Sequence, residues 1–291
     1  MEITSTIIHT PPRDAATVII LRDGVQGLEV FLVKRHGLSD VLGGAYVFPG
    51  GKLDDSDMQL AEAAHLDQAS SALHAALAEP ELEPARARGL FVAALREAFE
   101  ECGVLFAQHA GPRHSQQLAQ QIQAGRSFNQ VLADLQLRLQ THAVLPWSRW
   151  VTPKMPSVSS KRFDTRFFVA ALPLDQVARH DDVETTESVW LPPRLALEQY
   201  WARDIEMAPP QIMTLAHLSR FADVASVLQA VRQTRPALIA PEPFDDQGER
   251  VICYPGDPRH SVAKAAMPGP TRLRHRNRRF EPEQGFAALF A

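Results

Sequence analysis

The stretch Arg96-Glu97-Ala98-Phe99-Glu100-Glu101-Cys102-Gly103-Val104 constrains this chain more than any other. Phe91, Leu95, Ala98, Phe99 and Cys102 recur at helical spacing and predict an amphipathic helix with one apolar face. Glu97, Glu100 and Glu101 stand at i, i+3 and i+4, so three carboxylates leave the opposite face together. Like charges so placed destabilise a helix by roughly 0.2–0.5 kcal/mol per pair. Helix stability alone therefore does not select them, and the bland account is a solvated acidic face. A divalent cation turns the repulsion into attraction, and hard carboxylate oxygens suit Mg²⁺ or Mn²⁺.

Upstream, Phe48-Pro49-Gly50-Gly51-Lys52-Leu53-Asp54-Asp55-Ser56-Asp57 runs from an apolar strand end through paired glycines into acids. Adjacent glycines permit positive φ and close approach of backbone to a phosphate chain. Together the two stretches resemble the Nudix hydrolase signature. Gly51 opens it, Asp57 takes the acid position where Glu is usual, and Arg96 to Val104 match without a gap. The departure is the spacer, because residues 58 to 95 replace a short connection. A long insertion at this point resembles the peroxisomal coenzyme A diphosphatase-like branch. So does Trp150-Val151-Thr152-Pro153 followed by Arg162-Phe163-Asp164-Thr165-Arg166-Phe167-Phe168.

The resemblance implies an α/β fold, the Nudix α/β/α sandwich with a mixed β-sheet and helical insertions. Alternating strand and helix patterns fit that class independently. The resemblance also implies that Glu97, Glu100 and Glu101 ligate Mg²⁺ or Mn²⁺ and that Arg96 orients them, so these four form the candidate catalytic set. Gly50 and Gly51 would fold against the helix and face substrate. An acid ahead of an apolar-Trp segment often adds a ligand or a base in this family, which brings in Glu187, with Glu184 also in range. The general base is Glu97 or an acid from 184 to 187. The implied reaction is hydrolysis of a phosphoanhydride in a nucleoside diphosphate linked to X. For the branch, X makes the substrate coenzyme A or acyl-coenzyme A. NADH or ADP-ribose is an alternative, as is a catalytically silent module that senses a nucleotide.

The chain has 291 residues, 45% hydrophobic and 22% charged, which is ordinary for a globular protein. Its net charge of −4 argues against a dedicated nucleic-acid binder; a small nucleotide-type substrate is what the resemblance implies. Two distant cysteines, Cys102 and Cys253, read as reduced core thiols. Met1 to Thr10 has no signal-peptide pattern, no apolar run is long enough to span a membrane, and Leu289-Phe290-Ala291 is no peroxisomal address. Cytoplasm is the expected location, and a homodimer is left open.

The expected Nudix domain covers 12–205, with helical insertions at about 58–89 and 108–145, followed by a helix, loop and short-strand extension over 206–291. Residues 12 to 35 predict a hairpin turning at Arg22-Asp23-Gly24. Arg35, in Lys34-Arg35-His36-Gly37, is a candidate substrate cation or an ordinary basic strand end. Residues 58 to 88 predict helices closed by Pro80 and Pro84. His65 and His74 lie there, off any metal-ligand spacing. Trp147 to Pro156 reads as a loop and Arg162 to Leu172 as a strand. On that strand, Arg162 or Arg166 either holds a substrate phosphate or joins Asp164 in an ion network. Pro209 to Arg232 reads as one helix. Arg272, Arg274, Arg276 and Arg278 would share a strand face, as a solvated edge or an anion site.

Overall fold

In the computed structural model the described residues are 6–37, 42–60, 62–157, 161–181 and 183–291, so Met1–Ser5 of the opening stretch lie outside them. The chain opens with β1 (Arg13–Gly24) and β2 (Gly27–Arg35). Their turn is Val25-Gln26, two residues beyond the expected site, because Gly24 pairs with Gly27 and Gly27 supplies φ +100. β3 (Tyr46–Val47) and β4 (Gly50–Lys52) follow, so the glycine pair is itself a short strand rather than a loop. The insertion holds α1 (Asp55–Gln59), α2 (Glu62–His65) and α3 (Ser70–Leu77). Pro84 opens α4 (Pro84–Cys102) instead of closing what precedes it, since proline fits a first helical turn.

The second helical region resolves into α5 (Pro112–Gln123) and α6 (Phe128–Asp134). β5 (Leu145–Val151) replaces the expected loop. A bulge between Pro146 and Ser148 breaks the alternation that would have marked it as a strand. β6 (Phe163–Ala171), β7 (Thr185–Leu191) and α7 (Pro193–Ala202) come next. The expected long helix is two, α8 (Pro209–Leu218) and α9 (Val224–Gln233), with Asp223 capping the second through Ser226 N. β8 (Ala237–Ile239), β9 (Glu242–Asp246), β10 (Glu249–Cys253), β11 (Arg272–Arg276) and β12 (Arg279–Glu281) complete the strands.

The main sheet is mixed, in the order β3-β2-β1-β6-β5-β8, with β4 on β1 and β7 on β2. β1 runs parallel to β6 and β5 parallel to β8, while the other pairs are antiparallel. Period-two alternation divides β1 between two cores. Ala16, Val18 and Ile20 pack with α4, and Ile19 and Leu21 pack with residues of α7, α8 and α9. Helices on both faces make the α/β/α sandwich. β1 pairs with β2 over Leu21–Gly24 and with β4 over Ala15–Thr17, so the sheet forks, and the fork is where the site forms.

The C-terminal segment is built into this body. β8 extends the main sheet, and Ile252, Tyr254, Leu273 and Phe280 share a core with Tyr200 and Met207. Arg278 is not on a strand. With Asn277 it makes the positive-φ turn between β11 and β12. Arg272, Arg274 and Arg276 each meet carboxylates, at Asp257, Asp246 and Glu249 respectively. No helix among the described residues is long and apolar enough to cross a membrane.

Candidate active site

α4 carries the acids into the fork. One side of it is locked in the core by Leu90, Phe91, Ala94, Leu95 and Ala98. The helix stops at Gly103, whose φ of +69 is the left-handed cap conformation that glycine adopts at little strain. Arg96 is only 7% exposed and serves as the hub. Its Nε donates to Asp57 Oδ1 at 2.9 Å and its Nη2 to Asp57 Oδ2 at 3.0 Å. Its Nη1 donates to Glu97 Oε1 at 2.7 Å and to Glu100 Oε2 at 2.8 Å, and Nη2 also reaches Lys52 O at 3.0 Å. Asp57, 0% exposed, thus closes the inserted loop onto α4.

The glycines make room for the acids. A Cβ on Gly51 would fall 2.1 Å from Glu97 Oε1, so any larger residue would displace the carboxylate. Gly50 N donates to Glu101 Oε2 at 2.9 Å. Glu101 is 3% exposed, and its Oε1 has no hydrogen-bond partner. Burial pushes the Glu101 carboxyl up to about 8, with the neighbouring Glu97 charge adding to it. Burial likewise pushes Glu97 up to about 7 against the pull of Arg96, and raises Glu100. Three carboxyls held above their ordinary range side by side form a site short of positive charge.

A cavity of about 860 Å³ opens over these groups. Arg35 and Gly50–Lys52 line it beside the α4 acids, and Glu184, whose carbonyl accepts from His36 N next to Arg35, lines it as well. The Nε of Arg35 has no hydrogen-bond partner. Glu184 lies near enough for its charge to raise both Glu97 and Glu101. A divalent cation fits this donor set, because the ligands are hard oxygens and Glu101 Oε1 is a buried acceptor without a donor. Among the described residues no three acidic, His or Cys side chains already converge as a cage, since Arg96 Nη1 stands between Glu97 and Glu100.

The structure brings Arg35, Gly50, Gly51, Arg96, Glu97, Glu100 and Glu101 to one cavity and leaves three other candidates outside its lining. Glu187 receives hydrogen bonds from Tyr46 and Lys34, and the Tyr46 bond holds its carboxyl below the usual range. Its neighbour Glu184 takes the place beside the acids. Arg162 donates to the carbonyls of Thr152 and Thr10. Arg166, 2% exposed, donates to both oxygens of Glu79 at 3.0 and 2.6 Å and to Asp14 Oδ1 at 2.6 Å. The alternation of β6 explains this. Phe163 and Thr165 face the cavity, which turns Asp164 and Arg166 away from it.

Arg166 and Arg149 together tie the insertion to the sheet through Glu79, Asp164 and Asp14. Arg166→Ala is therefore expected to lower stability by about 3 kcal/mol, because buried carboxylates lose their partner. Its KM should stay within about twofold of wild type, well under the 1.4 kcal/mol that a tenfold change represents. A raised KM with an unchanged melting temperature would return Arg166 to phosphate binding. Sequence reasoning missed Arg13, Thr17, Asp181 and Gln211, all of which line the cavity. Arg13, Ala15 and Thr17 at alternating positions of β1 were a readable signal for one wall, whereas Gln211 lies in a distant helix with no local motif.

A family model described as the NUDT19 Nudix domain matches residues 87–218. The chain is 28% identical over 237 residues to the acyl-coenzyme A diphosphatase NUDT19 of Xenopus laevis, covering 67% of this chain and 61% of that protein. It is 26% identical over 238 residues to the Homo sapiens protein of the same name, covering 69% of this chain and 63% of the relative. The chain thus spans about three-fifths of the length of both. Among solved structures, a Nudix hydrolase from Alicyclobacillus acidocaldarius superposes with a TM-score of 0.61 at 26% identity, covering 78% of this chain and 98% of that one. With the box acids gathered on α4 over a forked mixed sheet, the chain is similar to Nudix hydrolases and, among them, to the coenzyme A diphosphatase branch.

Proposed function

We propose that this protein hydrolyses the phosphoanhydride of coenzyme A or acyl-coenzyme A, giving 3′,5′-ADP and phosphopantetheine or its acyl form. The observation that supports this most is the buried, partnerless Glu101 Oε1 beside Glu97 and Glu100 at the mouth of the glycine strand. The relatives named for acyl-coenzyme A hydrolysis support the choice of substrate.

Glu97, Glu100 and Glu101 would hold the cation, for which we propose Mg²⁺ or Mn²⁺. When bound, it supplies charge neutralisation of the diphosphate and a lowered pKa for water. Arg96 keeps Glu97 and Glu100 oriented. Arg35, which lines the same cavity and lies near enough to act on the Glu101 charge, would meet the diphosphate as a guanidinium fork. One water is consumed. Its oxygen ends on one phosphorus, the bridging oxygen departs with the other phosphate, and a carboxylate receives the proton. For that last role we favour Glu97 or Glu184, which line the cavity, over Glu187, which is engaged with Tyr46 and Lys34. We place the protein in the cytoplasm, a setting in which two free, buried cysteines stay reduced.

The test is turnover of coenzyme A, acetyl-coenzyme A, NADH, ADP-ribose and diadenosine polyphosphate with Mg²⁺ and with Mn²⁺. Coenzyme A species are expected to be cleaved at least about tenfold more efficiently than the rest, a difference of about 1.4 kcal/mol in transition-state binding. Preference for NADH or ADP-ribose would replace the substrate but keep the chemistry. Binding without turnover of any compound would make the chain a nucleotide sensor.

A further inference from the structure

One wall of the cavity has no part in handling the diphosphate. Gln211, in the first turn of α8, lines the cavity and is 7% exposed. Its Oε1 is buried, and its amide has no hydrogen-bond partner among the described residues. A buried amide without a partner works against folding, and a leucine would serve this position better for packing alone.

The β1–β6 wall of the same cavity carries small side chains. Ala15 pairs directly with Thr165 across β1 and β6, and with Thr17 they line the cavity as small side chains. The next cavity-facing residue along β6 is Phe163, half-buried and with no aromatic partner among the described residues. Phe163 pairs in register with Arg13, an exposed arginine whose guanidinium has no partner among the described residues. Ala16 pairs with Gly51, the residue against which Glu97 rests. Arg13 is three positions further along the strand, about 10 Å at the usual rise of about 3.3 Å per residue.

We infer that this wall is a nucleobase subsite in which Gln211 reads the edge of an adenine, Phe163 offers a stacking face and Arg13 meets a phosphate on the ribose. A glutamine amide accepts from the adenine N6 amine and donates to an adjacent ring nitrogen, a pairing that satisfies both ends of the group. Base–aromatic stacking needs an aromatic ring at the cavity wall, and half-buried Phe163 lines that wall with no aromatic neighbour among the described residues. The inference rests on the cavity being the nucleotide diphosphatase site proposed above, and it adds the orientation: the nucleoside half lies over β1 and β6, the other half toward Arg35.

Calorimetric binding of the two halves of coenzyme A to the full chain and to Gln211→Leu tests it without turnover. Loss of a hydrogen-bonded pair should weaken 3′,5′-ADP about tenfold and leave 4′-phosphopantetheine unchanged. The melting temperature of Gln211→Leu should equal or exceed wild type, which separates the effect from misfolding. Wild type should also prefer 3′,5′-ADP over its hypoxanthine counterpart, and the variant should not. Suppose neither half binds wild type, while ADP-ribose in the presence of EDTA does and is weakened by Gln211→Leu. The coenzyme A reading then fails and the base subsite stands. A variant that loses only 4′-phosphopantetheine, a variant that loses nothing, or a wild type that binds no adenine nucleotide overturns the inference.

Discussion

Glu101→Gln is expected to lower kcat/KM about a thousandfold at saturating divalent cation, the several kcal/mol that an electrophilic metal site contributes to an anionic transition state. The substitution keeps size and shape. Its amide can still accept from Gly50 N, so the β4–α4 contact survives. What disappears is the negative oxygen that faces the site without a donor. The same substitution changes the pH dependence of the metal-free protein. Burial raises the folded-state carboxyl of Glu101 to about 8 and of Glu97 to about 7 from an ordinary value of 4.5. A group raised on folding contributes stability that is complete below 4.5 and is lost as pH climbs through its folded value. Melting in EDTA should therefore show the wild type falling between pH 5 and pH 8 by a few kcal/mol, at about 1.4 kcal/mol per pKa unit. Glu101→Gln should fall less over the same window, because one titrating group and its repulsion of Glu97 are gone. Added Mg²⁺ or Mn²⁺ should restore the wild type at pH 8 and leave the variant where it was. Wild-type turnover in the variant, or an identical pH slope, would remove Glu101 from the site.

What the sequence revealed of this site depended on how local each signal was. The α4 acids were legible because helical periodicity places i, i+3 and i+4 on one face without any knowledge of tertiary structure. Gly51 was legible because a glycine pair beside acids has few other uses, and the structure supplies the reason in the space Glu97 occupies. Arg166 was ambiguous because alternation shows that two faces exist and not which one is wet. The decision came from Glu79, which lies in the insertion and far away in sequence. Glu187 and Glu184 could not be separated for a similar reason. Glu187 lies on β7 and pairs in register with Lys34, which bonds its carboxylate, while Glu184 lies just before the strand and lines the cavity. β5 escaped notice because a bulge at its start broke the pattern that identifies strands. The role of residues after 206 was unreadable because a helix face or an edge strand takes its meaning from the body it packs on.

Arg96→Met is expected to destabilise the fold by about 4 kcal/mol, on the order of 10 °C in melting temperature for a chain of this size. Most of that loss comes from Asp57 rather than from Arg96. Asp57 is fully buried, and Arg96 grips both of its oxygens. Removing the guanidinium leaves a buried carboxylate whose remaining described partner is the backbone N–H of Asp54. Removing both charges should be milder than removing one, because the desolvation penalty disappears together with the attraction. Arg96→Met with Asp57→Leu is therefore expected to recover a large part of the melting temperature lost in Arg96→Met alone. Activity should not recover with it. Glu97 and Glu100 both receive their orienting hydrogen bonds from Arg96 Nη1, and loss of such a supporting contact lowers metal-site activity by about 10–100-fold. The double variant thus separates the two roles of one side chain: holding the inserted loop to α4 through Asp57, and holding two acids in position. If the double variant regained activity along with stability, Arg96 would be a structural clamp only. If Arg96→Met melted like wild type, the buried Arg96–Asp57 pair would not be what closes the Nudix box across its long insertion.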